Sequence, residues 1–545
     1  MPPKPLNIRA APNNYLSVKD FLRRSPLPSP SLPSILPRHG KKPPKLNSKK
    51  ITRWLIYLTL GVTVWWLFTL TGRSLPGLDR LQFQSGNGKT YEMVGEAELP
   101  DYASPVAVPA KGRLRWTISI PQALPFPLRA EEYADVCHQA EDVARHVANV
   151  THAAETVQSA TYYTLDTNYM DVAEAQAAKL LPVQHASKLS IEAPPICEQS
   201  LTYVLDATDA GLGSTMLGLW LSYSLAVREE RAFFIDDRQF AYGDYGGFFI
   251  PPTVPACKPP PDTYRVPCPR QARHLVVSAA TQKWVFGESF TEQFETREIF
   301  DMARQGYEGL FLLSNSDDSR YVQDRIAGFA KNKEDAGALL VGMHIRHGDR
   351  HPFQFQYERS YLQPSIYMSA ARDLAQNHTS PTFLVASDDP EVYEYSELPG
   401  TTRAQKRIVL GSNKRLDSGS LGWEGGFFAN QFWGLGLPQD ADEQRLAGSP
   451  LPIGKQAELK HFRNAAIPER DYRTNPTPEA LQLRELIGRA YLMDLAMLGA
   501  SDRVVCGVSS YTCRILAVML GWDRSFEQGH WKNIDGKYAW RALDA

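Results

Sequence analysis

The stretch ALLVGMHIRHGDRHP, Ala338 to Pro352, decides which fold the chain adopts. It begins as an apolar run and changes at His344 to a mixture of His, Arg and Asp. An uninterrupted apolar run is typical of a strand buried on both faces, as in parallel sheets that are covered by helices. Ligands of such sheets bind beyond the carboxyl ends of the strands. The stretch therefore predicts a parallel α/β sheet with a functional loop after this strand.

The same alternation of buried strand and helix recurs along the chain from Leu201. Short apolar runs such as LTYVLDA, AFFID, TFLVASDD and RVVCGV are separated by stretches with helical periodicity. This pattern predicts an α/β fold with parallel layers. The functional residues are then expected in the polar segments that follow strands: AGLGS (210–214), RHGDR (346–350), SDDP (387–390) and GVSSYTCR (507–514).

The N-terminal part of the sequence predicts a membrane anchor. Residues 1–50 hold eleven Lys or Arg and one acid, Asp20, and the run WLIYLTLGVTVWWLFTLTG, Trp54 to Gly72, is uncharged. At about 1.5 Å per residue the run spans roughly 28 Å, close to the thickness of a hydrocarbon core. The positive-inside rule puts the basic tail in the cytosol and residues 73–545 in the lumen of the Golgi or ER. All six Cys and both N-x-[ST] sequons follow the run, as expected for an oxidising lumen.

Residues 129–195 are predicted to form a helical segment. EEYADVCHQAEDVARHVANVTHAAETV carries apolar residues at alternating spacings of four and three, which form a heptad stripe on a helix. Such a stripe packs on the catalytic domain or pairs two chains as a homodimer, and its small Ala and Val residues favour packing. The stripe consists of Val136, Ala140, Val143, Val147, Val150, Ala154 and Val157.

The opening stretch fits two known signatures. Read from Arg346, RHGDRHP resembles the RHGxRxP signature of histidine acid phosphatases, in which His347 would carry the phosphate. That class also needs a later His-Asp or His-Ala-Glu acid, and the sequence contains neither. Read from His344, HIRHGD resembles the HxRxxD segment of fucosyltransferases, in which an Arg at a strand end binds a nucleotide diphosphate.

Five segments, in order over about 310 residues, favour the second signature because together they resemble the alpha-1,6-fucosyltransferase family. That family includes the core N-glycan enzymes of animals and the rhizobial nodulation enzymes. The resemblance implies a GT-B-like lumenal domain with two Rossmann-like halves, which transfers fucose from GDP-fucose to a glycan or glycoprotein acceptor. It implies inverting displacement without a metal, no cofactor and no nucleic-acid partner. The segments are AGLGS, FAYGDYGGFF, VGMHIRHGDR, FLVASDDP and YLMDLAMLGASDRVVCGVSSYTCRILAVML.

With this resemblance the chain is predicted to have six parts. In the stem, RLRWTISI (113–120) is the one strand-like run. The parts are a basic disordered tail (1–53), a transmembrane helix (54–72), a stem (73–128), the helical segment (129–195), a first α/β half (196–330) and a nucleotide-sugar-binding α/β half (331–545).

The resemblance assigns the donor's diphosphate to Arg346, Tyr242, Ser509 and Ser510. A departing diphosphate needs compensating charge, and Arg346 suits it as a two-pronged ligand. Ser509 and Ser510 lie between a predicted strand and a helix N-terminus, where hydroxyls and free backbone N–H groups bind anions. The alternatives are a surface pair of Arg346 with Asp349, helix caps for the two serines, and a core position for Tyr242.

The remaining assignments concern the base and the acceptor. Guanine presents paired N–H donors that a carboxylate accepts, and the resemblance gives this role to Asp494, with His344 beside it. In the apolar stretch YLMDLAML, burial of Asp494 without a partner would be costly. Asp388 and Asp389 match the family's acidic pair, although ASDDP is also a helix-capping sequence, and which of the two acts stays open. Glu358, the one Glu of the loop after the opening strand, is the candidate that deprotonates the acceptor hydroxyl.

One departure and two alternatives accompany these assignments. His347 stands where the animal enzymes have a second Arg, which replaces a fixed charge by a group that titrates near neutral pH. A metal-dependent transferase with FFIDDR, Phe233 to Arg238, as its acidic site is one alternative. A catalytically inactive, membrane-tethered protein that binds glycans or nucleotides is the other.

The six Cys are expected to form three disulfides in the lumen. The family's two Cys stand seven apart, and the same spacing here predicts Cys506–Cys513. Proximity in sequence predicts Cys257–Cys268, which leaves Cys137–Cys197. Six Cys allow about fifteen connectivities, so sequence alone does not settle the pairing.

Overall fold

The structure is a computed structural model whose described residues belong to one compact unit, Arg80–Ala545. No helix among these residues is long and apolar enough to cross a membrane. The predicted span Trp54–Gly72, the tail before it and the candidate base Glu358 lie outside them. The described residues are 99–110, 112–151, 161–182, 194–206, 211–329, 338–347, 362–409, 432, 435–436, 475–536 and 539–544, with the backbone alone at 82–84, 90–92 and 330–331.

An antiparallel hairpin and a long helix form the first layer. This layer contains β3 (Ser104–Ala110), β4 (Arg113–Ser119), α1 (Ala130–Val150) and α2 (Val172–Ala177). A separate two-stranded antiparallel sheet of β1 (Gln82–Gln84) and β2 (Thr90–Glu92) precedes it in the chain. β3 and β4 pair along their whole lengths. The sequence predicted only the second of these strands, because Pro105 and Pro109 argue against a strand. In β3 the side chains nevertheless alternate, with Val106 and Val108 buried against the helix layer.

The heptad stripe of α1 packs against this hairpin. Val136, Ala140 and Val147 are buried in one apolar cluster with Trp116 of β4. Val150 at the end of the helix is about half exposed, at 52%. The stripe therefore packs within the chain, as favoured above, and pairing of two chains stays a prediction. Ala154 and Val157 lie outside the described residues.

A three-stranded parallel sheet follows. It consists of β5 (Ser200–Val204), β6 (Ala232–Asp236) and β7 (His274–Ser278) in the order β6-β5-β7. Leu201 and Tyr203 of β5 pack on the helical side with Trp220, whereas Val204 faces the hairpin layer. The helices are α3 (Leu212–Arg228), α4 (Lys283–Phe286), α5 (Glu288–Gln293), α6 (Thr296–Leu310) and α7 (Ser316–Lys331).

A five-stranded parallel sheet carries the opening stretch at its centre. It consists of β8 (Ala338–Ile345), β9 (Ser380–Ser387), β10 (Thr401–Arg403), β11 (Arg503–Cys506) and β12 (Trp531–Asn533), in the order β10-β9-β8-β11-β12. All four pairs are parallel, which confirms the predicted parallel α/β architecture. Two separate parallel sheets are consistent with a GT-B-like arrangement. The limits at 196–330 and 331–545 stay predictions.

Helices on both faces explain the apolar run of β8. They are α8 (Pro364–Leu374), α9 (Pro478–Gly499) and α10 (Tyr511–Leu520). Leu340 of β8 belongs to the apolar cluster that includes α9 and α10, whereas Val341 and Met343 belong to a second cluster with α8. Since successive side chains of a strand point to opposite faces, both faces must be apolar.

The disulfides correct two predicted pairs. Cys506–Cys513 forms as expected, with 5.4 Å between the Cα atoms. The predicted Cys257–Cys268 and Cys137–Cys197 are wrong, because the pairs are Cys137–Cys268 and Cys197–Cys257. The backbone N–H of Cys197 donates to the carbonyl of Lys258 at 3.0 Å, which places Cys197 beside Cys257. Cys137 and Cys268 share the apolar cluster of the hairpin layer.

Candidate functional site

The carboxyl ends of β8, β9 and β11 bring three of the predicted segments together. His344 is level with Ala386 and Cys506 on the neighbouring strands, so the segments that follow these three residues emerge at one edge of the sheet. The backbone N–H of His347 donates to Oδ1 of Asp388 at 2.9 Å, which joins two of the segments directly. This edge is the place where α/β sheets bind ligands.

The N-terminus of α10 lies at this edge. Ser510 is its N-cap residue, yet its hydroxyl makes no capping bond to the helix backbone. The side chain is 5% exposed, and its Oγ has no hydrogen-bond partner in the part of the chain that the structure describes. The first N–H groups of an α-helix also lack intrahelical partners and carry partial positive charge. A buried hydroxyl and open backbone donors thus meet at one point.

The prediction of free backbone N–H groups at both serines is wrong. The N–H of Ser509 donates to Oδ2 of Asp535 at 2.8 Å, and the N–H of Ser510 donates to the carbonyl of Gly507 at 3.0 Å. These bonds hold the loop in shape. In the first helical turn the N–H of Cys513 donates to the carbonyl of Ser510 at 3.0 Å, which leaves the N–H groups of Tyr511 and Thr512 to face a ligand. The Ser509 side chain is exposed.

A buried guanidinium group fixes the same loop from below. Nε of Arg514 donates to the carbonyl of Val508 at 2.9 Å, and its Nη2 binds both carboxylate oxygens of Asp544 at 2.8 and 3.1 Å. The Cys506–Cys513 disulfide closes the loop at its base. The loop is therefore organised before any ligand arrives, which lowers the entropy that binding costs.

The N-terminus of α3, in the AGLGS segment, approaches the N-terminus of α10. Gly213 allows this approach: a Cβ atom there would lie 3.0 Å from Oη of Tyr491 and 3.5 Å from the backbone nitrogen of Thr512. The N-terminus of α3, which follows β5, and the N-terminus of α10, which follows β11, therefore meet beside the serine loop. Both favour negative charge between them.

Tyr491 of α9 is a site residue that sequence reasoning missed. Its Oη lies 3.0 Å from Oγ1 of Thr512 in a hydrogen bond that joins α9 to α10. Burial raises the pKa of Tyr491 to about 12, the bond to Thr512 and the charge of Arg346 lower it, and Asp388 raises it. Arg346 and Asp388 are thus close enough to influence the hydroxyl. The available signal was helical spacing, since Tyr491 precedes Asp494 by three residues on the same face.

His344 occupies a buried position beside the predicted phosphate ligand. Burial lowers its pKa to about 4, and Asp388 and Arg346 act on it in opposite directions, so both lie nearby. Its Nδ1 has no hydrogen-bond partner among the residues that can be described. His344 is therefore a neutral ring with an open nitrogen next to half-buried Arg346.

The structure separates the two carboxylates that sequence left equivalent. Asp389 caps the 3₁₀ turn Pro390–Glu394 through a bond from the N–H of Glu391, and its Oδ2 lies 2.8 Å from Nδ1 of His347. Asp388 is half-buried and acts electrostatically on His344 and Tyr491. Both carboxylates thus bind His347, Asp389 through the ring and Asp388 through the backbone N–H, and Asp388 is the one whose charge acts on His344 and Tyr491.

Asp494 has a partner that the sequence did not suggest. Its Oδ1 accepts the backbone N–H of Gln405 at 3.2 Å. Burial raises the pKa of Asp494 to about 8, while the bonds from Gln405 and the charges of Arg403 and Arg325 lower it. The charges of Asp494 and Asp388 both raise the pKa of Tyr393, so both carboxylates lie near its ring. Asp494 thus borders the same region, in a partly neutral state near pH 8.

Tyr242 lies in an aromatic cluster. It is 6% exposed and packs against Phe240, Phe248 and Phe432. A Cβ atom at Gly488 of α9 would lie 3.0 Å from its ring. These contacts fit the alternative that Tyr242 is a core residue, and its contact with phosphate stays a prediction. Glu358 and Asp349 lie outside the described residues.

The residues of the metal-dependent and phosphatase alternatives are already bonded or buried. Asp236 of FFIDDR is buried and paired with the guanidinium groups of Arg238 and Arg265, so its carboxylate charge is already compensated. Asp237 accepts the N–H of Tyr245 at 2.8 Å. No cluster of three metal-binding side chains is present among the described residues. His347, the nucleophile of the phosphatase reading, is 4% exposed.

No protein-family model matches the sequence, and neither does any curated protein. Among solved structures, the chain is similar to the crystal structure of NodZ alpha-1,6-fucosyltransferase soaked with GDP-fucose, at 13% sequence identity and a TM-score of 0.30. The match covers 59% of this chain and 92% of that chain. A TM-score this low indicates no function, so the assignment of a function depends on the geometry of the site.

Proposed function

We propose that the protein is a glycosyltransferase that moves fucose from GDP-fucose to a glycan or glycoprotein acceptor. The observation that carries this proposal is the buried, unpartnered Oγ of Ser510 at the N-terminus of α10, among the residues described, one strand away from Arg346. A hydroxyl without an acceptor, open helix donors and a guanidinium group together suit a doubly charged diphosphate.

The leaving group determines what these residues do. When the sugar–phosphate bond breaks, negative charge builds on the diphosphate of GDP. Arg346 meets this charge with a two-pronged contact, and the first turn of α10 meets it with N–H donors and the Ser510 hydroxyl. Such contacts strengthen as the bond breaks, so they lower the barrier and do not merely hold the substrate.

Guanine is recognised on the α9 side of the site. Ionised Asp494 accepts the paired N–H donors of the base. The open Nδ1 of His344 belongs to β8, the strand that pairs with β11. Because burial favours the neutral form of Asp494, a guanine that donates to it favours the carboxylate and lowers its pKa on binding.

The acceptor side of the reaction follows from the sequence. Glu358 removes the proton of the acceptor hydroxyl as that oxygen attacks the sugar carbon from the side opposite to GDP, which inverts the configuration.

The basic tail and the run Trp54–Gly72 anchor the enzyme as a single-pass type II protein of the Golgi or ER membrane. Protease protection of an epitope at each terminus in sealed microsomes tests this orientation.

Calorimetry with GDP and a transfer assay in EDTA test the proposed function. The parent chain should bind GDP and turn over GDP-fucose in the presence of the chelator. Ser510→Ala removes one hydrogen bond to a charged group, so GDP affinity should fall roughly 10- to 100-fold. Ser396→Ala, at an exposed position on the turn after Tyr395, is the matched control and should bind GDP as the parent does.

The assay also separates the alternatives. Loss of turnover on chelation would support the metal-dependent transferase, and GDP binding without turnover would support the inactive binding protein. A parent chain that does not bind GDP would contradict the proposal altogether.

A further inference from the structure

The hydroxyl groups of Tyr491 and Thr512 form one hydrogen bond with each other, and one of their two O–H protons takes no part in it. Their oxygens are 3.0 Å apart and either can be the donor. Two hydroxyls have two protons, and one hydrogen bond between them uses one. No second hydrogen bond of either hydroxyl is found within the described part of the chain. The pair therefore keeps one O–H that can donate to an acceptor outside the protein.

The position of the pair identifies the kind of acceptor. Thr512 is in the first turn of α10, two residues after Ser510, where the helix N-terminus favours anions. Tyr491 is close enough to Arg346 and Asp388 for their charges to act on its hydroxyl. Gly213 presents no side chain to the pair, so the N-terminus of α3 contributes backbone alone at this point.

We propose that this pair, through Tyr491 Oη or Thr512 Oγ1, donates a hydrogen bond to the diphosphate of the bound nucleotide sugar. The inference rests on the proposed function and adds two binding residues to the same site. Because the two hydroxyls come from different helices, the bond also makes α9, which carries Asp494, and α10, which carries the diphosphate loop, respond to one ligand. The pair thus links the guanine side of the site to the phosphate side.

A purely structural role gives a different expectation. If the bond only ties α9 to α10, removing it lowers stability and leaves the affinity for a diphosphate unchanged. Tyr245 offers the matched control, since its hydroxyl is a buried helix tie that donates to the carbonyl of Leu310 at 3.3 Å. Tyr245→Phe therefore removes a comparable bond from a hydroxyl whose pKa is raised by burial alone.

The test is calorimetry of GDP binding to the full chain, at a temperature well below the melting transition of each variant. Of Tyr491→Phe and Thr512→Val, the variant that removes the hydroxyl donating to the ligand should weaken GDP binding roughly tenfold or more, since the lost bond goes to a charged acceptor. The other variant should weaken GDP binding less, because it removes only the partner that orients this donor. Thr512→Ser keeps the hydroxyl and should restore most of the affinity. The two losses should not add, because both variants break the same pair.

Each result bears on the inference. If Tyr491→Phe and Thr512→Val bind GDP as tightly as the parent, while Ser510→Ala binds it weakly, the pair is only a helix tie and the proposed function stands. If Tyr245→Phe weakens binding as much as the more impaired of Tyr491→Phe and Thr512→Val, the effect is a general loss of stability and the inference is wrong. If the parent itself does not bind GDP, both the inference and the proposed function fail.

Discussion

The interpretation of the stretch Ala338 to Pro352 depends on the side chain of Arg346. It follows β8 directly, half-buried, and acts on both His344 and Tyr491. A guanidinium group binds a diphosphate with two parallel N–H donors, whereas an ammonium group is a point charge. The geometry of the contact, as well as its charge, is therefore expected to matter.

Arg346→Lys should reduce kcat/KM for donor turnover roughly 10- to 100-fold even though the charge is kept. Because the contact strengthens in the transition state, the loss should appear in kcat and not in KM alone. Steady-state kinetics with GDP-fucose measure both constants. Full activity of Arg346→Lys, together with inactivity of His347→Ala and a trapped phosphohistidine, would instead support the phosphatase reading of RHGDRHP.

At the scale of elements, the packing of α3 on α6 depends on one glycine. Gly306 of α6 is buried, and a Cβ atom there would collide with the backbone of Trp220 in α3. Gly328 of α7 is exposed, and a Cβ atom there would meet nothing within 4 Å. Both glycines lie within helices, so they share the same helix propensity and differ in their surroundings.

Gly306→Ala should therefore lower the free energy of unfolding by about 1–3 kcal/mol, because the two helices must move apart. Gly328→Ala should raise it by about 0.5–1 kcal/mol, because Ala favours the helix and restricts the unfolded chain. Denaturant titrations of the two variants measure both changes. Equal stability of the two variants would show that the close approach of α3 and α6 does not occur in solution.

At the scale of the whole molecule, buried titratable groups make stability depend on pH. Burial raises the pKa of Asp494 to about 8, so the folded state holds a proton that the unfolded chain releases near pH 4. This contribution is fully present below the unfolded pKa and is lost as pH rises to about 8. Burial lowers the pKa values of His344 and His274 to about 4, so their contribution is present above about pH 6.5 and is lost toward pH 4.

Between about pH 6.5 and 8 the Asp494 contribution changes and those of the two histidines do not. The melting temperature of the parent should fall by a few degrees across this window, relative to Asp494→Asn, which cannot ionise. Thermal unfolding of both chains at several pH values measures the difference. Parallel curves for the two chains would mean that Asp494 does not titrate with a raised pKa.

The local pattern of the sequence was sufficient to predict the parallel sheets and the loops that carry the site. The apolar run of β8 must be covered on both faces, and a parallel strand must end where ligands bind. Both properties follow from residues adjacent in the chain. Arg346, Asp388 and Ser510 were therefore predicted together at one sheet edge.

Tertiary structure alone decided which partners these residues have. Cys137 pairs with Cys268 across 131 residues, and Asp389 binds the ring of His347 while Asp388 accepts its backbone N–H. The Tyr491–Thr512 pair forms because the helices α9 and α10 meet. Such contacts depend on how distant segments pack, and the residues adjacent to each partner carry no record of that packing. Residues adjacent in the chain therefore indicate at which sheet edge the candidate site lies, and the packing of the helices decides which side chains complete it.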